Sequence, residues 1–114
     1  MALETTLILC KPDAVSRSLV GEIISRIERR GYVITAMKLT QLPGDKAREH
    51  YAEHKDKPFF NDLVKFITGG AIVAMAVEGE NVIEGMRQII GATNPLSAAP
   101  GSIRGDFGQT IGYN

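Results

Sequence analysis

The chain has 114 residues, enough for one compact domain and too few for two. Apolar residues make up 44% and charged residues 23%, and thirteen basic residues balance thirteen acidic ones. That neutrality excludes binding nucleic acid or an anionic membrane by bulk charge, so an anion held here has to be held by a few placed cations.

The opening stretch MALETTLILCKPD has an acid at Glu4 and too short an apolar run for a secretory leader. Nothing in the chain approaches the roughly 18 consecutive apolar residues of a membrane span. Cys10 is the only cysteine, so no internal disulfide can form, and a reducing, cytoplasmic setting is expected. Residues 5–10 (TTLILC) are β-prone and apolar on both faces, and they should end at Lys11-Pro12-Asp13 because proline cannot continue a ladder. Val20, Ile23, Ile24 and Ile27 then follow the i, i+3, i+4, i+7 stripe of an amphipathic helix. Ser18 is the expected N-cap, and Arg29, Arg30 and Gly31 mark the stop. Residues 32–42 should form a second strand, closed by a turn at Pro43-Gly44-Asp45.

A short polar helix (DKAREHYAEH) is expected next, broken at Pro58, and FFNDLVKFIT should resume helix until Gly69-Gly70. Residues 71–77 (AIVAMAV) make a third strand, again apolar on both faces. Asn81 should cap a helix whose stripe is Val82, Ile83, Met86, Ile89 and Ile90, closed by Gly91. The order β-α-β-(αα)-β-α implies an α/β or split βαβ layer, with helices on one side of the sheet and a loop or another subunit on the other. Residues 91–114 show no convincing period and are punctuated by five glycines, Pro95 and Pro100. Long irregular segments in small domains are commonly functional.

Lys11 stands where a strand opens into a turn, a common place for a binding cation in α/β proteins, and it reads also as a solvated surface lysine. Arg87 lies beside the apolar stripe of the last helix. Arg104, next to Gly105 in the long irregular segment, can approach a phosphate closely. Thr93 and Asn94 either cap the turn after Gly91 or contact a ligand. Phe59 and Phe60 are adjacent and cannot both face the core of one helix, so one is a candidate aromatic platform or both cover the helix junction. His50 and His54 are spaced i, i+4, but no third metal ligand is evident and HEXXH is absent, so no metal residue is assigned. Neither GxGxxG nor GxxxxGK[ST] occurs, and strands one and three carry no aromatic pair for RNA stacking. Three spaced cations, an aromatic and a Gly-rich loop suit a phosphate-bearing ring compound whose metal rides on its own phosphates.

Taken together, LILCKPDAV, GEIISRIERRGY, HYAEHKDKPFF, GGAIVAMAVEGENVI, GATNP and PGSIRGDFG stand in the order and at the separations of the nucleoside diphosphate kinase family, which the chain resembles over its whole length. The resemblance implies one domain over residues 1–114, with a ferredoxin-like βαββαβ fold of the α+β kind. It implies ping-pong transfer of a γ-phosphoryl group from a nucleoside triphosphate such as ATP to a nucleoside diphosphate through a histidine, with Mg2+ carried by the nucleotide. Lys11, Arg87, Arg104 and Thr93 would hold phosphates, Phe59 would stack on the base with Tyr51 nearby, and Asn114 would reach the ribose and phosphate end. The family builds hexamers or tetramers from dimers, so a homo-oligomer is expected, with no nucleic-acid or membrane partner.

In the family the nucleophilic histidine follows this asparagine within a few residues, in a pattern like N-x-x-H-G-S-D. It is therefore expected just after Asn114, with the final strand and the C-terminal tail. Neither His50 nor His54 matches its position, so residues 1–114 hold the binding groups without a catalytic residue. One expectation is a kinase whose tail lies beyond Asn114. The other is a truncated, inactive nucleotide-binding or assembly module. The first is preferred, because a sheet one strand short would leave an apolar edge open in a small domain.

Overall fold

The structure is a computed structural model and describes residues 3–109. Three strands form one antiparallel sheet in the order β1-β3-β2: β1 (Leu3–Cys10), β2 (Val33–Gln41) and β3 (Ala71–Glu80). β1 pairs with β3 from Leu3↔Glu80 to Cys10↔Val73, and β2 pairs with β3 from Val33↔Glu78 to Gln41↔Ala71, with an irregularity between Ile34 and Ala36. The central position of β3 accounts for its being apolar on both faces.

Between β1 and β2 lie a short helix α1 (Pro12–Ser16) and the amphipathic α2 (Val20–Arg29). Proline acts twice here. It stops the strand and, at the first helical position, begins α1, a helix the sequence expectation had merged into the turn. Ser18 is not the N-cap of α2. Leu19 takes that position, and Ser18 lies in the left-handed region at φ 60°, turning the chain from α1 into α2. Gly31 follows α2 at φ 95°, where a side chain would be strained.

Pro43 does not begin a turn. It precedes α3 (Gly44–His50), after which a 3-10 turn (Ala52–His54) leads towards α4 (Phe60–Thr68). His50 and His54 consequently do not share one helix. After β3, Asn81 is left-handed and makes no side-chain cap on α5 (Val82–Ile90). Glu4 does so from β1 instead, its carboxylate accepting the Ile83 N–H at 3.3 Å. Residues 91–109, expected to be irregular, hold a 3-10 turn (Pro95–Ser97) and a last helix α6 (Ile103–Phe107).

Two apolar clusters flank the sheet. On one face Val73, Met75 and Val77 of β3 pack with Ile8, Ile23, Ile27, Val82 and Met86, so α2 and α5 cover that side. On the other, Ile72 packs with Ala47 and Ile67 from α3 and α4. Helices therefore meet both faces, which corrects the one-sided expectation. Among the described residues no helix is long and apolar enough to cross a membrane.

Candidate functional site

Lys11 sits between the end of β1 and the start of α1, with extended backbone, and its carbonyl accepts the Val15 N–H at 3.1 Å. Beside it opens a cavity of about 290 Å³, walled by β1, α1, α5 and α6, with Ile23 of α2 and His50 of α3 at its lining. Its polar and titratable lining is Cys10, Lys11, Asp13, Arg17, His50 and Arg104.

Arg104 reaches the cavity because α6 is held in a fixed place. Ser102 is buried and caps it: its hydroxyl accepts the Gly105 N–H at 3.1 Å and donates to the Ala99 carbonyl at 2.5 Å. A methyl group on Gly105 would overlap the Ala99 carbonyl, so that approach requires glycine. Arg104 donates through Nη1 to the Gly91 carbonyl at 3.2 Å, while its buried Nε has no hydrogen-bond partner among the described residues. Oδ1 of Asp13 is likewise buried and unpaired. Buried polar atoms are nearly always satisfied, and of the three such orphans among the described residues two, on α1 and α6, belong to residues lining this cavity; the third is His54 Nδ1.

Burial holds the Lys11 ammonium below the ordinary lysine range. The nearby Arg104 guanidinium pushes it further down, and Asp13 opposes both. Burial also lowers Arg104. The Cys10 thiol is pushed up to about 11 by burial and by Asp13, so it remains a thiol and is no nucleophile at neutral pH.

The residues singled out in the sequence divide into groups. Lys11 and Arg104 come together. Phe59 is 44% exposed and faces a neighbouring groove with Pro12, Asp62 and Phe66; Asp13 borders both hollows. Phe60 is half-buried, so only one of the adjacent aromatics is displayed. The His54 ring lies 5.6 Å from the Phe59 ring and the Lys57 ammonium 5.7 Å from it. Tyr51 packs on the second apolar cluster, and burial raises its phenol. Arg87 and Thr93 are exposed and line neither hollow. Asn114 lies outside the described residues. No group of three or more His, Cys, Asp or Glu able to hold a metal occurs among the described residues.

Asp13, Arg17 and His50 also line the cavity, and the sequence reading had not picked them out as a group. The signal for Asp13 was its place directly after a strand-ending Lys-Pro. An acid after proline has the look of an ordinary turn residue, so nothing marked it as lining a cavity.

Comparison with known proteins gives a consistent result. The family model described as nucleoside diphosphate kinase matches residues 4–114. The chain is 54% identical over 112 residues to a nucleoside diphosphate kinase of Archaeoglobus fulgidus, covering 98% of this chain and 74% of that protein. A Staphylococcus aureus (strain JH9) nucleoside diphosphate kinase is equally similar, with 75% of its length covered. Among solved structures, a halophilic nucleoside diphosphate kinase from Halobacterium salinarum in complex with CDP superposes with a TM-score of 0.96 at 46% identity, covering 98% of this chain and 74% of that one. The Aquifex aeolicus nucleoside diphosphate kinase gives a TM-score of 0.96 at 42% identity, covering 99% and 82%. The chain thus spans about three quarters of the length of the curated relatives, and the ferredoxin-like arrangement is common to it and its structural neighbours. Sequence, fold and the cation-lined cavity lead to one family: the chain belongs to the nucleoside diphosphate kinases, enzymes that move a phosphoryl group from a nucleoside triphosphate to a nucleoside diphosphate.

Proposed function

We propose that the cavity beside Lys11 and Arg104 receives the phosphates of a nucleoside di- or triphosphate, and that Phe59 stacks on its base. The observation that carries this assignment is the pair of partly buried cations. Burial and mutual repulsion both act against the charged Lys11, and Asp13 offsets them only in part. A polyphosphate would reverse the balance by supplying the missing negative charge. Arg87 and Thr93 would hold further phosphate oxygens, Tyr51 would sit near the nucleotide, and Asn114 would contact the ribose and phosphate end.

Phosphoryl transfer passes through a loose, metaphosphate-like transition state that needs positioning and charge neutralisation above all. Lys11 and Arg104 provide both at fixed points on the wall. Mg2+ commonly binds one or two carboxylates together with phosphate oxygens, and Asp13, the acid that lines the cavity among the described residues, fits that part. When bound, the ion neutralises charge on the phosphate oxygens. The histidine that takes the phosphoryl group and passes it on in a ping-pong cycle is expected after Asn114; a covalent step of this kind splits one transfer into two easier ones. We further assign residues 1–114 to one domain acting in the cytoplasm as a hexamer or a tetramer, each built from dimers. The exposed Val33, Met37 and Leu39 on β2, at the sheet's edge, support burial against another subunit.

Titration with adenosine, AMP and ADP in the presence of Mg2+ tests the site. Affinity should rise with each phosphate and weaken with salt. Equal affinity for adenosine and ADP would remove the phosphate assignment. Phe59→Ala should cost about 1–3 kcal/mol with every base tested, because a stacking surface does not discriminate between π-faces. A loss confined to purines would contradict stacking as the source.

A further inference from the structure

We propose that Arg26, on α2 and outside the cavity lining, is a positioning residue that sets the place of Arg104 by clamping α6. The proposal rests on the phosphate assignment of Arg104 made above. Three guanidinium nitrogens of Arg26 are engaged at once. Nη2 meets the Asp106 carboxylate at 2.8 Å, Nη1 donates to the Gly101 carbonyl at 3.1 Å, and Nε pairs with Glu22 at 2.9 Å one turn earlier on α2. The guanidinium also lies 4.9 Å from the centre of the Phe107 ring. Asp106 closes the arrangement by accepting the Gly101 N–H at 2.9 Å through its other oxygen.

These contacts bind Gly101, Asp106 and Phe107, which surround Arg104 on both sides in the chain. α6 has only five residues and cannot hold its shape by its own hydrogen bonds. The far end is tied separately, with Arg17 donating to the Phe107 carbonyl at 2.8 Å. Arg26 itself is not among the residues lining the cavity, so it acts on the nucleotide only through α6. Its side chain is 18% exposed, and a half-buried, multiply bonded arginine holds geometry far better than an exposed ion pair.

A double-mutant cycle with Arg104 tests the clamp in the intact protein, with ADP affinity as readout. Arg26→Ala should weaken ADP binding about tenfold, the scale of one charged hydrogen bond lost at the phosphates. In an Arg104→Ala background the same change should add less than about twofold, because the residue being positioned is gone. Equal losses in both backgrounds would overturn the clamp in favour of a general structural role. No loss from Arg26→Ala while Arg104→Ala weakens ADP would overturn the clamp and leave the phosphate site standing. No loss from Arg104→Ala would remove the phosphate assignment and the clamp with it. Should Arg26→Ala fail to fold, Asp106→Asn breaks the same bridge from the exposed side and is expected to reproduce the tenfold loss; unchanged ADP affinity in that variant would likewise overturn the clamp.

Discussion

In a protein carrying the histidine expected after Asn114, Lys11→Ala is expected to lower kcat/KM for phosphoryl transfer from ATP to a nucleoside diphosphate by about 10²–10³-fold, some 2.7–4 kcal/mol, the usual loss when one preorganised charge-stabilising donor is removed. Thermal stability should stay level or rise in the same variant. The reason lies in the direction of the lysine's shift: burial and the Arg104 charge outweigh the attraction of Asp13, so on balance the ammonium is disfavoured in the folded state and its removal costs the fold no net electrostatic stability. Activity and stability moving apart in this way is the mark of a residue kept for binding at some cost to the fold. A lower melting temperature, with activity falling only in step with the folded fraction, would make Lys11 a structural residue.

The same shift fixes the alkaline behaviour. Lys11 is held below its ordinary value of 10.5, so the folded state releases its proton before the unfolded state does. The electrostatic penalty on folding is present in full below the folded pKa and is relieved as pH climbs from there to 10.5. ADP affinity should run the opposite way, falling as pH rises through the folded pKa and the positive charge is lost. Arg104→Gln removes one of the two causes of the shift. It should therefore move the alkaline fall in the remaining affinity to higher pH, measurable by titration calorimetry across the alkaline range. An unmoved limb would mean that the two cations do not sense each other.

Much of the scaffold was legible because it is built from periodic apolar residues. The stripe at Ile23 and Ile27 and the uninterrupted apolar run of β3 each have one natural burial solution. What was not legible depends on partners distant in the chain. The pentapeptide of α6 has no apolar period of its own and stands because Ser102 caps it and Arg26, some 80 positions earlier, grips Asp106. Asn81 has the composition of an N-cap, yet it takes a left-handed conformation that Asn tolerates, and Glu4 supplies the cap from another strand. Pro12 could be seen as a strand stop but not, from the same residue, as a helix start. At the site, the sequence grouped Lys11, Arg87 and Arg104 as phosphate-holding cations; that Lys11 and Arg104 line one cavity with Asp13, whose buried Oδ1 has no hydrogen-bond partner among the described residues, while Arg87 does not, is a property of the tertiary fold.

Ile27→Ala should act on the other side of this division, destabilising the protein without touching the proposed phosphate contacts. Ile27 is fully buried in the cluster that joins α2 to β3 and α5, where Val73, Met75, Val77, Val82 and Met86 surround the sheet face. Removing three carbons from such a position costs about 2–5 kcal/mol, the transfer term plus the cavity that rigid neighbours cannot close. A loss of that size is a large part of the 5–15 kcal/mol typical of a folded protein, so the urea midpoint should fall sharply with little change in slope. ADP affinity measured well below the unfolding transition should stay within about twofold of the parent, since independent, distant sites contribute additively. The same cluster includes Ile8 and Cys10 of β1, so it also anchors the strand that delivers Lys11 to the cavity. If Ile27→Ala weakened ADP as much as Lys11→Ala does, the strand end would be yielding with the core, and the site could not be treated as a rigid wall whose charges act alone.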